Sequence, residues 1–374
     1  MKILFINISD IKGGAAKSMW RIGNELEKLG HEVKFIVRSK FSVAPNVIEV
    51  GRNKYLNILF NLFGMQYKFL PVSRKVVRLA RQFKPDVISI NQIEGGYFQT
   101  RDLIKLSEIA PLVWTHHDLW AFMENGHREP FEGEKERMIY PQIGLPLGKW
   151  LLKQKKKIYD KIDFISVLPS FFLRDKYLDS MMDRPFEVIP HGVDLDKFHP
   201  LEKNNEVKHI LYVAEKLSKC NLSPILERLD NLLREKVILD VIGEGEIEGQ
   251  YKNIYIHHVG YVEDEDLLVH YYRNSDIFVY PSMADIFGLV VLESIACGTP
   301  VVAYNVGGIP EVLGEGGYLI KPNAVSDFAF KVSAILNNDK LREVLSEKAR
   351  EQALKFDIKQ TAKQYENCFN SIRI

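Results

Sequence analysis

The chain has 374 residues, 46% of them apolar and 26% charged, with a net charge of +1. That length allows two domains with separate cores, and the near-neutral balance gives no general electrostatic argument for nucleic acid or an acidic partner. Three widely spaced cysteines, Cys220, Cys297 and Cys368, form neither a disulfide framework nor a metal-ligand pair and suit a reducing cytoplasm.

The opening MKILFINISD carries one lysine and an apolar run that stops at Asp10, too short for a signal peptide or a membrane span. No later apolar run reaches bilayer length. Ile3, Leu4, Phe5 and Ile6 read instead as a strand buried on both faces. After the Gly13-Gly14 loop, Met19, Ile22, Leu26 and Leu29 recur at helical spacing and predict a helix over 15–29, stopped by Gly30. Val33, Phe35 and Val37 form the next strand. This βαβ unit implies a parallel, doubly wound sheet. Strands follow at 86–90, 112–115 and 163–167. The Pro-rich RPFEVIPHGVDLDKFHP at 184–200 reads as a domain linker. A second strand series occupies 209–215, 237–243, 253–262, 276–282, 299–305 and 317–320, with a helical tail from about 325. The chain thus reads as two consecutive Rossmann-like domains.

Residues 280–311, YPSMADIFGLVVLESIACGTPVVAYNVGGIPE, carry the most chemistry. A strand ends, Gly288 follows, and a helix is predicted over 288–297. Unpaired N–H groups of a first helical turn, with the positive end of the helix dipole, bind phosphate, and glycine lets a diphosphate approach the backbone. Glu293 lies more than one turn further in, and a carboxylate can accept two hydrogen bonds from a vicinal diol such as ribose. Asp285, just before the helix, would meet the sugar side of the diphosphate. Either acid alone reads better as a solvated carboxylate. The joint pattern, with Phe287-Gly288 between them and Gly307-Gly308-Ile309-Pro310-Glu311 after, points to a sugar nucleotide.

This stretch resembles the signature of retaining glycosyltransferases of family 4: a Glu-x7-Glu pair, then Ala-x-Gly-Thr-Pro-Val-Val, then a Gly-Gly-x-x-Glu loop. The resemblance covers nearly the whole chain from Gly13 onward. It implies an α/β GT-B fold, with two Rossmann-like doubly wound parallel-sheet domains facing a cleft. Residues 1–187 would form the acceptor domain and 188–356 the nucleotide-sugar donor domain, with a C-terminal helix at about 357–374 packing back on the first. It further implies that Glu293 holds the nucleotide ribose and that Phe287, Gly288 and Leu289 bind the donor. Asp285 stands where the family has Glu; it keeps the charge on a side chain one methylene shorter, which bears on donor choice. The family's diphosphate-binding Arg and Lys correspond to Lys216 and Lys219, with Cys220 where Gly is common. Lysine supplies a point charge without a bidentate fork, and two solvated surface lysines are the plain alternative. Gly243-Glu244-Gly245 resembles the family's Gly-x-Gly turn near the base.

In the first half, Gly13 and Gly14 lack the GxGxxG context of a dinucleotide site; in family 4 this position approaches the donor phosphate or the acceptor. His117-Asp118, in WTHHDLWAFMENGH, match a Thr-x-His-Asp segment whose histidine lines the reaction site, where a neutral imidazole can donate to a sugar hydroxyl. His116 is the lesser candidate. The grouping of His116, His117, Asp118 and His127 raises a metal site, but adjacent residues of an extended strand end point to opposite sides, and no metal is expected. IPHGVDLDKFHP resembles the family's hinge segment.

Residues 51–85 contain eight Lys or Arg and no acid, interleaved with aromatics, and 149–161 read KWLLKQKKKIYDK. Such runs suit an anionic membrane surface or solvated helix faces over an ordinary core; nucleic acid has no recognised fold behind it. The reading is therefore a glycosyltransferase. It moves a sugar from a UDP- or GDP-linked donor to a glycan or lipid-linked acceptor hydroxyl, with retention and no cofactor. The setting is cell-surface polysaccharide or glycolipid biosynthesis, in the cytoplasm or on the inner face of the membrane. A sugar-nucleotide epimerase and a catalytically weak sugar-nucleotide or membrane-binding protein are the competing readings; a dehydrogenase is disfavoured by the missing glycine fingerprint.

Overall fold

The structure is a computed structural model that describes residues 1–51, 71–94, 96–123, 148–202, 205–217 and 222–372. Lys219, Cys220, His127 and the stretch 52–70 lie outside the described residues. The chain divides into two compact units, Met1–Gly192 with Ile358–Ile374, and Val193–Asp357.

In chain order the first unit contains β1 (Lys2–Ser9), α1 (Gly14–Lys28), β2 (Glu32–Ser39), β3 (Val47–Glu49), α2 (Pro71–Phe83), β4 (Val87–Ile90), α3 (Leu103–Ser107), β5 (Leu112–Thr115), α4 (Gly148–Tyr159), β6 (Phe164–Leu168), α5 (Phe171–Leu178) and β7 (Phe186–Val188). The strands form one sheet in the order β3-β2-β1-β4-β5-β6-β7, every pair parallel. The strand order reverses between β1 and β4, where Phe5 lies opposite Phe35 on one side and Ser89 on the other. Helix α1 lays Met19, Ile22 and Leu26 on Ile3, Phe5, Val33 and Phe35. It sits so close that a Cβ on Gly23 would fall 2.4 Å from the Phe35 ring. Gly30, at φ +89°, ends the helix as expected, and the His31 N–H reaches back to the Leu26 carbonyl. The helix Ile358–Ser371 completes this core: Ile358, Ala362, Tyr365 and Phe369 pack into the same cluster. Each such large apolar side chain contributes about 1.5–3 kcal/mol on burial.

The second unit runs β8 (Lys208–Lys216), α6 (Ser223–Asp230), β9 (Val237–Glu244), β10 (Ile254–Gly260), α7 (Glu265–Asn274), β11 (Ile277–Tyr280), α8 (Leu289–Ala296), β12 (Val301–Tyr304), α9 (Ile309–Leu313), β13 (Gly317–Ile320), α10 (Val325–Leu336) and α11 (Asp339–Ala353). Its parallel sheet has the order β10-β9-β8-β11-β12-β13. Alternation along the strands builds two cores. Ile210, Tyr212, Leu239 and Val241 face one side with Leu226 of α6 and Phe328 of α10. Leu211, Val213, Phe278 and Val301 face the other with Tyr272, Val291 and Ala349. Burial on both faces explains why these strands read as continuous apolar runs.

Two short strands escaped the sequence reading. β3 and β7 are three residues each and sit at opposite sheet edges. β7 corrects the linker expectation: residues 186–188 pair with β6 and belong to the first sheet. The flanking Pro185 and Pro190 hid it, since proline marks turns and edge strands alike.

One buried carboxylate ties three strands of the second sheet. Asp240 of β9 accepts from His209 Nδ1 of β8 at 2.6 Å and His257 Nδ1 of β10 at 2.7 Å. Burial pulls Asp240 upward, but the histidine hydrogen bonds outweigh it and hold it below the usual carboxylate range. The same hydrogen bond raises His209 against the opposing pull of its own burial. A raised histidine stabilises below its unfolded pKa and loses that contribution as pH rises through the folded value; a lowered carboxylate loses its contribution as pH falls through its folded value. The pair is therefore strongest between about pH 4 and 6.5. Asp240→Asn is expected to cost this unit about 2 kcal/mol at pH 6 and clearly less at pH 9, read by urea unfolding. Equal losses at both values would remove the ion pair from the account.

Candidate functional site

In open α/β sheets, ligands bind outside the strand C-termini where the strand order reverses. In the second unit that point lies between β8 and β11. Lys216 ends β8, exposed and in register with Glu244. Gly243 lies in β9 at φ +152°, and a Cβ there would fall 2.1 Å from the Ala214 carbonyl oxygen, so the two strand ends close tightly. Across the reversal, β11 ends at Tyr280, and the loop to α8 is built around Asp285. The Tyr280 hydroxyl donates to Asp285 Oδ2 at 2.7 Å. The Phe287 N–H donates to Asp285 Oδ1 at 3.0 Å.

The loop after β12 presses on this one backbone to backbone. The Gly308 N–H donates to the Asp285 carbonyl at 3.2 Å. A Cβ on Gly307, at φ +57°, would lie 1.6 Å from that carbonyl oxygen, and one on Gly308 would lie 2.3 Å from the Ile286 oxygen. Only glycine fits at either position. Gly288, at φ +94°, then caps α8; a Cβ there would meet Ile309 Cδ1 at 2.5 Å. No side chain caps the first turn of α8, so its amides keep the character of an anion site. Phe287 anchors the turn from below, edge-on to Phe356 at 5.9 Å, and Leu289 is half-buried at its mouth. Glu293 lies one turn deeper, 1% exposed, with Oε2 accepting from the Tyr272 hydroxyl at 3.2 Å.

In the first unit the reversal lies between β1 and β4. Gly13, at φ +95°, precedes α1 with nothing within 4 Å of its missing Cβ, and Gly14 begins that helix exposed. His117 follows β5. Its Nε2 lies 2.8 Å from Asn91 Oδ1, and its ring stacks on His191 at 5.1 Å and 21°. His191 Nδ1 in turn meets Ser18 Oγ of α1 at 2.8 Å. Burial pushes His117 down to about 4, against the pull of Asp118. Burial, His117 and Arg21 hold His191 well below its ordinary value. Both rings are neutral near pH 7.

His116 points the other way, as expected of adjacent strand-end residues. Its Nε2 meets Ser166 Oγ at 3.0 Å among Trp114, Phe122 and Tyr177, and burial pushes it to about 3. That is a core position. The segment after Asp118 is stapled by α4: Lys155 Nζ donates to the Trp120 and Met123 carbonyls, and the Tyr159 hydroxyl to Ala121 at 3.0 Å. Burial drops Lys155 to about 7, with Asp118 and Glu94 opposing. Among the described residues no group of three or more His, Cys, Asp or Glu is arranged to hold a metal.

Within the second unit, then, Lys216, Gly243, Asp285, Phe287, Gly288 and Leu289 gather at one sheet edge, with Glu293 beneath it. Within the first unit, Gly13, Gly14 and His117 share the corresponding edge. Asn91, His191 and Tyr280 were not singled out as site residues from sequence. Asn91 has one signal, a polar side chain directly after the buried strand VISI; His191 stands in the sequence only as part of a hinge motif. The described parts of the basic runs are amphipathic: α2 exposes Arg74, Arg78 and Arg81 and buries Val76, Val77 and Ala80, while α4 exposes Lys149, Trp150, Lys153, Lys156 and Lys157. Among the described residues no helix is long and apolar enough to cross a membrane.

Comparison with known proteins agrees with this architecture. A family model described as Glycosyltransferase Family 4 matches residues 12–197, and one described as Glycosyl transferases group 1 matches residues 194–352. O-antigen chain mannosyltransferase B of Escherichia coli is 36% identical over 134 residues, 36% of this chain and 32% of that protein. Sucrose-phosphate synthase from Thermosynechococcus elongatus has a TM-score of 0.72 at 18% identity, covering 99% of this chain and 98% of that one. HepE of Anabaena, solved in complex with UDP-glucose, has a TM-score of 0.68 at 16% identity, over 99% and 100%. At those identities the structural likeness speaks to the fold, which is GT-B. The chain spans 32%, 36% and 50% of the length of the first three curated relatives it matches. With both family models matched in succession, the chain belongs to the family 4-like glycosyltransferases.

Gly307→Ala is expected to cost about 2–4 kcal/mol, from the left-handed backbone and the overlap with Asp285 together. Thermal unfolding measures it. A loss under 1 kcal/mol would mean that the two loops are not in backbone contact.

Proposed function

We propose that the chain transfers a sugar from a UDP- or GDP-linked donor to a hydroxyl of a glycan or lipid-linked acceptor, with retention at the anomeric carbon. The observation that carries this reading is the uncapped first turn of α8, opened by Gly288 and held by the Asp285–Gly307 clasp at the point where strand order reverses. The family membership and the UDP-glucose complex of HepE support it. Cell-surface polysaccharide synthesis is supported by the O-antigen relative.

As the glycosidic bond breaks, negative charge grows on the leaving diphosphate. Fixed amides of α8 and the ammonium of Lys216 stabilise that charge more in the transition state than in the ground state. Asp285 already accepts a hydrogen bond at each oxygen, yet each keeps a lone pair for a donor-sugar hydroxyl. The clasp thus orients the carboxylate before the substrate arrives. Glu293 takes the ribose diol, with Tyr272 fixing one of its oxygens. Attack comes from the face the leaving group departs, with no cofactor and no metal in the reading. Gly13 and Gly14 leave room for the donor or acceptor, His117 hydrogen-bonds a sugar hydroxyl, and Gly243 lies toward the base. Lys219 is read as a second cation on the diphosphate.

Lys216→Ala is expected to lower kcat roughly 100-fold with the fold intact, and Glu293→Gln to raise the donor KM about tenfold. A thermal-shift series with UDP- and GDP-sugars reads the donor class directly: a ligand at a hundred times its Kd adds about 2.7 kcal/mol of stability. If none of them moves the melting temperature, the reading is wrong.

The reading extends to docking on an anionic membrane surface through the exposed lysines and Trp150 of α4. Flotation with phosphatidylserine vesicles is expected to carry the protein at low salt and release it at high salt. Lys153→Glu with Lys157→Glu should abolish flotation; flotation that ignores both salt and charge reversal argues against this surface.

A further inference from the structure

We propose that Asn91 is a positioning residue that fixes His117 as the Nε2–H tautomer, so that the ring offers a substrate hydroxyl an acceptor, Nδ1, and not a donor. The inference rests on the reading above in which His117 touches a sugar hydroxyl. It reverses the direction expected from sequence, where the imidazole donates.

Asn91 cannot swing. It follows β4 directly; its N–H donates to the Ile6 carbonyl at 3.0 Å and its own carbonyl accepts from Trp114 Nε1 at 3.0 Å. Its backbone is thereby tied to β1 on one side and β5 on the other. The side chain is 5% exposed, and Oδ1 sits 2.8 Å from His117 Nε2. With Oδ1 turned to the ring, as here, the amide can only accept, and this orientation puts the proton on Nε2 and the lone pair on Nδ1. Asn91 Nδ2 is buried without a hydrogen-bond partner among the described residues.

The other ring face is closed by His191, stacked on His117 and held through Ser18. A second donor on His117 would require the imidazolium. Burial disfavours that charge, and His191, itself held neutral by burial beside Arg21, adds no relief; among the described residues Asp118 is the carboxylate that opposes burial. A neutral ring whose single N–H is committed to Asn91 has one thing left to offer, a lone pair. The hydroxyl that donates to it gains electron density on its oxygen, which suits a hydroxyl about to attack and not one that merely anchors.

Long-range proton–nitrogen spectra of the full chain, labelled at histidine, report which ring nitrogen carries the proton without any turnover. His117 is assigned by the signal lost in His117→Gln. The wild type is expected to show a protonated Nε2 and a bare Nδ1 at pH 7. Asn91→Leu should give mixed tautomers and lower kcat about tenfold with the donor KM unchanged. Asn91→Asp keeps the oxygen but favours the imidazolium, so its rate should be low in acid and recover as pH rises through the His117 titration. A wild-type ring protonated at Nδ1 overturns the proposal, whether or not the variants fold. So does an unaltered tautomer in a folded Asn91→Leu. Loss of all nucleotide binding would instead sink the transferase reading while the tautomer is still measured.

Discussion

Two peptide backbones touching face to face organise the second unit. Where Gly307 and Gly308 meet Asp285 and Ile286, no side chain can stand between the loop after β11 and the loop after β12. That contact fixes the Asp285 carbonyl, while Tyr280 and the Phe287 amide fix its carboxylate. With both ends of Asp285 held, Gly288 can turn the chain through a left-handed conformation straight into α8. The direction in which α8 aims its free amides is therefore set by packing between loops, before any ligand is present. Preorganised dipoles of this kind need no rearrangement as charge develops.

The first unit repeats this parallel topology with other residues at its strand ends. At its strand-order reversal side chains stand beside the uncapped first turn of α1: Asn91, His117, His191 and Ser18 form a chain of contacts from β4 to α1. Burial makes both imidazoles neutral, so this edge carries directional hydrogen-bonding capacity with little charge. The edge of the second unit carries a lysine and uncapped amides and favours an anion. Both edges thus open on an uncapped helix turn, and they differ in a handful of residues at strand ends, neutral imidazoles in one and a lysine in the other.

Much of this was legible beforehand, for a physical reason. Strands buried on both faces must be apolar throughout, so Ile3–Ile6 and Ile277–Tyr280 announce themselves, and the helix over 15–29 differs from the observed Gly14–Lys28 by one residue at each end. Glycines with forbidden Cβ positions were visible as a pattern around 288 and 307. β3 and β7 were not, because three residues at an edge carry no periodicity. Asn91 was hidden for a different cause: its importance lies in a contact with a residue 26 positions away, and a single polar residue after a strand is commonplace. Tyr280 and Tyr272 were likewise silent, since an aromatic at a strand end or on a helix is ordinary core until its hydroxyl is seen to find a carboxylate.

The helix Ile358–Ser371 has a consequence for synthesis. Tyr365 and Phe369 fill the face of the first sheet shared by Ile3, Phe5 and Met19, although the whole of the second unit intervenes in the polypeptide. A nascent chain emerging from the ribosome therefore presents an N-terminal sheet with one apolar flank uncovered while the whole of the second unit is translated. The second unit can mature as it emerges; the first must wait for Ile358–Ser371 to follow, and until then its uncovered flank is exposed to chaperones.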